Sequence, residues 1–111
     1  KQLQVPEQEA LPTEVFEVEP PDEHFPKEAL DHEKNDFFVI MGSFGYRNNA
    51  DTFAADLRSK GFSPIILRAE TGLYRVSVDS FFNRADATQR LQQIRSHFPE
   101  HKDAWLLIRK R

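Results

Sequence analysis

Apolar side chains along this chain fall into two alternating patterns. The stretch FFVIMGSF (37–44) is a strand in which Phe37, Val39 and Met41 alternate with Phe38 and Ile40. Ala50, Phe53, Ala54 and Leu57 then recur at i, i+3, i+4 and i+7, one stripe of a helix. Asn48 or Asn49 is placed to cap that helix, and Gly61 to end it. FSPIILRA (62–69) predicts a second strand with Pro64 near its start, where a missing N–H does least harm. Thr71-Gly72 predicts a turn, and LYRVSV (73–78) a third strand. Asn83 caps a second helix whose stripe is Ala87, Leu91, Ile94 and Phe98, and Pro99 marks its exit. AWLLI (104–108) is the last strand.

The order β-α-β-β-α-β contains a repeat. A shift of 37 residues (76 − 39) superposes Val39 on Val76, Ser43-Phe44 on Ser80-Phe81, Arg47 on Arg84, Ala50 on Ala87 and Leu57 on Ile94. Neither half buries its helix stripe alone. Two halves side by side predict an α+β fold of the RNP or ferredoxin-like kind, a four-stranded antiparallel sheet with two helices on one face. Phe37, Val39, Met41, Tyr74, Val76 and Val78 point to the helices. Phe38, Ile40, Arg75 and Ser77 then lie on the helix-free face, which is expected to be open.

Composition divides the chain. Residues 1–36 carry 11 acids and 3 bases (3 − 11 = −8), and residues 37–111 carry 7 acids and 12 bases (12 − 7 = +5). Five of the seven prolines lie in the first part and all four glycines in the second. Residues 1–36 therefore read as an acidic, Pro-rich linker or tail and residues 37–111 as the folded domain. Within the tail, VFEVE (15–19) alternates like a strand, and PKEALDHEK (26–34) is long enough for a turn or two of helix. There is no cysteine, which excludes disulfides and thiolate chemistry, and no apolar run near the length of a membrane span. The chain begins at Lys rather than Met and is read as a processed or truncated piece.

From residue 37 onward the chain resembles the sporulation-related repeat, or SPOR, domain. The resemblance rests on GSF (42–44), the helix with Ala50 and Leu57, KGF (60–62), YRV (74–76), and the second SF corner running from Ser80 to Ala87. It implies a non-catalytic module of the bacterial cell envelope that binds peptidoglycan glycan strands, peptide-free ones enriched at the division septum. The ligand is expected across the helix-free sheet face. The resemblance also implies a periplasmic location, tethering to a membrane through a segment outside this chain, and a part in cell division or wall remodelling alongside division-machinery proteins. The family commonly has Gln where this chain has Ile40, and Gly where it has Asp79.

The glycan-binding candidates are Phe38 and Ile40 as an apolar floor, Ser43 and Ser77 as hydroxyls, Arg75 as a fork for a carboxylate, and Trp105 as a stacking surface. The alternatives are a floor covered by the acidic tail, an Arg75 ion pair with Asp79 or Glu70, and a Trp105 packed under a helix. No catalytic set and no cofactor is read from the sequence. His97 and His101 are four apart with Pro99 between them, a poor metal site. A protein-interaction module using the same face is the competing reading. RNA binding, which shares the β-α-β-β-α-β order, is disfavoured because the third strand lacks its basic aromatic octamer, and no nucleic-acid partner is expected.

Overall fold

The computed structural model describes residues 11–19 and 32–111. Among the described residues six strands and two helices follow in order: β1 (Thr13–Glu14), β2 (Phe16–Val18), β3 (Phe37–Phe44), α1 (Arg47–Ser59), β4 (Ile65–Ala69), β5 (Tyr74–Phe81), α2 (Arg84–His97), a 3₁₀ turn (Pro99–His101) and β6 (Trp105–Arg109). The expected α+β order from β3 to β6 is present. Most of the predicted 26–34 helix lies outside the described residues.

The sheet order is β1-β6-β3-β5-β4-β2. The inner strands β6, β3, β5 and β4 pair antiparallel throughout. The expected four-stranded antiparallel sheet is corrected in two respects. Among the described residues it has six strands, and it is mixed, because β1 runs parallel to β6 while β2 runs antiparallel to β4. The two added strands come from the tail and differ by one intervening residue, Val15. They border opposite sides of the sheet, so the sheet curls until residues 13–18 bridge its two sides. Trp105 on β6, which would be an edge strand in a four-stranded sheet, is on an inner strand for the same reason.

Strand alternation sorts the side chains as the pattern predicts. Val39, Val76 and Val78 pack with Ala50, Ala54 and Leu57 of α1 and Ala87, Leu91 and Ile94 of α2, with Phe37, Met41 and Tyr74 half-buried around them. Phe38 and Ile40 belong to a second cluster on the other face. Two register shifts flank Ile40: Val39 faces Asp79, Ile40 faces Ser77 and Gly42 faces Val76. An extra residue on β5 and then one on β3 restore the register, and each reverses its own strand's alternation: Phe44 joins Phe37, Val39 and Met41 toward the helices, while Ser43 joins Phe38 and Ile40 on the other face.

Each helix end has a local cause. Asn83 accepts the Asp86 N–H at 2.8 Å and caps α2, as its side chain suggests. The N-cap of α1 is Tyr46, without a side-chain bond, rather than Asn48 or Asn49. The helix begins directly after the Gly45-Tyr46 corner, which leaves both asparagines inside its first turn. At its C-terminus Gly61 takes φ +98°, the Gly61 N–H reaches the Arg58 carbonyl and the Phe62 N–H the Leu57 carbonyl. That reversal drives Phe62 into the core, so β4 starts at Ile65 rather than at 62. At Gly42 an added Cβ would meet the Phe53 ring at 3.0 Å and the Phe44 ring at 3.1 Å, so the bare backbone there lets both rings close on the sheet.

Candidate functional site

The helix-free face is built by alternate residues of four strands. Strand β3 contributes Phe38 and Ile40, β4 contributes Ile65, Leu67 and Ala69, and β6 contributes Trp105 and Leu107. Strand β5 contributes Arg75, paired with Ser43 and Leu67, and Ser77, paired with Ile40 and Ile65. The six sequence candidates therefore share one face, but that face is not open. Phe38, Ile40 and Ser77 each have 0% of their surface exposed. Residues 13–18 lie over them, with Phe16 and Val18 buried against Phe38, Ile40 and Leu107 in one cluster. The Phe16 ring meets Phe38 edge-on at 5.0 Å. The expectation of an open floor is corrected accordingly: covering by the acidic tail is what the structure contains.

Arg75 marks the polar end. Its Nε donates to Glu14 Oε1 at 2.7 Å, its Nη2 donates to Glu14 Oε2, and its Nη1 donates to Ser43 Oγ at 2.6 Å. The guanidinium lies 5.2 Å from the centre of the Trp105 ring. It is a fork holding one carboxylate by both oxygens, backed by a hydroxyl and an indole. The ion pair considered for Arg75 is real, but its partner is Glu14 rather than Asp79 or Glu70. Asp79 is engaged by Arg90 at 2.9 Å. Ser77 does not face a ligand: its hydroxyl donates to the Asp79 carbonyl at 3.0 Å. Trp105 is half-buried on the helix-free side and not under a helix.

Arg109 was not singled out from the sequence, yet it closes the other end of the floor. Its guanidinium lies 5.1 Å from the Phe16 ring centre and 5.2 Å from that of Phe38. Its Nη1 donates to the Glu33 carbonyl at 2.8 Å, and its buried Nε has no partner among the described residues. Burial first, and the like charge of Arg111 second, pull it below the usual arginine value, against the opposing pull of Glu33 and Asp36. The signal was available: Trp105, Leu107 and Arg109 alternate along β6, so a face containing Trp105 contains all three. A second carboxylate, Glu19, anchors the far end of the tail segment to Arg47 at 2.8 Å and Arg68 at 3.2 Å.

The histidine pair makes no joint site. His97 is exposed and bonds the Gln93 carbonyl, while His101 is buried beside the Phe53 and Phe62 rings. Among the described residues no three His, Asp or Glu side chains are grouped to hold a metal, and no helix is long and apolar enough to cross a membrane.

The curled sheet thus carries the two described helices on one side and an apolar floor ended by an arginine fork on the other. The chain belongs to the SPOR domain family: the family model matches residues 33–101, 69 of 111 residues (101 − 33 + 1). SPOR domains are peptidoglycan-binding modules of bacterial envelope proteins, and the family is one of binding rather than catalysis. No curated protein and no solved structure matches the chain.

Proposed function

We propose that this domain binds the glycan strands of peptidoglycan, in their peptide-free form, through the helix-free sheet face. Phe38, Ile40 and Leu107 supply the apolar floor for sugar rings, Trp105 a stacking surface, and Arg75 with Ser43 the polar end. Ser77 lies in the floor between Ile40 and Ile65. The observation that carries the reading is the Arg75 fork, which grips a carboxylate beside an apolar floor and an indole. A muramic acid freed of its stem peptide offers such a carboxylate. In a peptide-bearing strand the same group is consumed as an amide and loses the charge the fork recognises. We further place the domain in the periplasm, tethered through a segment outside this chain, in septal wall synthesis or remodelling with division proteins as neighbours.

The test is sedimentation with whole sacculi and with amidase-treated sacculi rich in peptide-free strands. The chain is expected to pellet preferentially with the second. Arg75→Ala and Trp105→Ala are each expected to weaken that binding about tenfold or more, the scale of a lost charge-assisted pair. Equal pelleting with both preparations, unchanged by either variant, rejects the reading.

A protein-interaction reading is favoured by a separate observation: the occupant of the face is an extended peptide, paired to β6 and β4 by its backbone. Capture of free extended peptides with no response to sacculi would support it instead.

A further inference from the structure

We propose that residues 13–18 are a built-in competitor for the glycan, a strap that imitates the ligand and must leave before a strand can bind. The inference rests on the glycan reading above and adds to it the condition under which binding occurs.

The imitation is chemical. Glu14 delivers a free carboxylate to both the Nε and Nη2 of Arg75, the position assigned to the acidic sugar. Two residues on, Phe16 lies on Phe38, and Val18 completes the cover over the cluster containing Ile40 and Leu107. The segment presents a carboxylate and an apolar flank to the same fork and floor that a peptide-free strand would use. A bound glycan and a docked strap exclude each other, because Phe38 and Ile40 have no exposed surface while the strap is in place.

The architecture permits release. The strap is tied down by short pairings, two residues on β6 and three on β4. From β3 onward the inner sheet and both helices form a core of their own, in which no buried residue comes from 13–18. Beyond these pairings the strap is held by Glu14 on Arg75, by Phe16 and Val18 in the floor, by Arg109 over Phe16, and near the surface by Glu19 with Arg47 and Arg68, the last more than half exposed. Pro12 precedes the strap and Pro20-Pro21 follow it in the sequence, none with an N–H to donate to a neighbouring strand.

The chain has no cysteine, so a reversible lock can be installed without interference. Glu17 and Arg68 are Cα partners across β2 and β4, and both are exposed. The full-length E17C/R68C variant is compared oxidised and reduced, which makes each protein its own folding control. The probe is amidase-treated sacculi. A face free only one time in ten binds with about tenfold reduced apparent affinity, so full locking removes binding that reduction restores. A second full-length variant, E14A/F16S, deletes the mimic and is expected to bind about tenfold more tightly than the parent. Equal binding by oxidised and reduced protein, with no gain in E14A/F16S, overturns the strap and leaves the glycan reading standing. Failure of every form to bind, E14A/F16S included, overturns the glycan reading and the strap with it.

Discussion

Ile40 has no exposed surface and sits in the cluster that Phe16 and Val18 cover. Its family counterpart is commonly Gln, and the covering explains why a hydrocarbon suits this chain. With the strap docked, an amide at this position is desolvated among Phe38, Leu67 and Leu107 with no water to pair with. Ile40→Gln is expected to cost about 1–3 kcal/mol, the penalty of a buried unpaired polar group, measured by urea unfolding. In an E14A/F16S background the amide regains water and the cost is expected to shrink. The faces of Phe38 and Ile40 were legible in the sequence because β3 alternates regularly from Phe37 to Met41, before the bulge at Gly42 reverses it. Their burial was not, because what covers them lies more than twenty residues upstream. No local pattern states where a short strand will find its partners.

Among the elements, the two helices carry the sharpest contrast. Each of their stripes was visible as a 3.6-residue period: Ala50, Ala54 and Leu57 of α1 and Ala87, Leu91 and Ile94 of α2 are buried as predicted, with Phe53 and Phe98 half-buried beside them. Their starts differ. Asn83 caps α2 by bonding the Asp86 N–H, and Asn83→Ala is expected to cost about 1 kcal/mol by thermal unfolding. The α1 cap is Tyr46, exposed and without a side-chain bond, so Tyr46→Ser is expected to stabilise by about 0.5–1 kcal/mol in the same measurement. The position of that cap was not legible, since a Gly-Tyr corner carries no capping side chain and Asn48 and Asn49 next to it do. The strap is the third case. Fixing backbone costs about 1–2 kcal/mol per residue, while Phe16 and Val18 each return about 1.5–3 kcal/mol. Backbone hydrogen bonds return a further 0.5–1.5 kcal/mol each, roughly. Gains and costs are of one size, which is how an element remains detachable.

Across the whole molecule the charge division of −8 against +5 becomes a contact. Glu14 meets Arg75, and Glu19 meets Arg47 and Arg68. The division was plain from composition, but complementary charge specifies attraction and not a docking geometry. Half-exposed pairs such as Glu19 with Arg68 weaken as salt shortens the range of their attraction. Raising the salt from about 0.05 M to about 1 M is therefore expected to loosen the strap. The readout is fluorescence of Trp105, the sole tryptophan, which lies under the Arg75 guanidinium. An emission spectrum unmoved by salt in the parent, yet shifted by E14A/F16S, would assign the strap's hold to Phe16 and Val18 instead.

The curl of the sheet has a colloidal consequence. Without residues 13–18, β6 and β4 would each present a bare row of backbone donors and acceptors beside an uncovered apolar floor, a template for pairing with other chains. One short stretch, with a single residue between its halves, caps both rows at once. Residues 13–18 thus shield the domain's most adhesive surface from its neighbours.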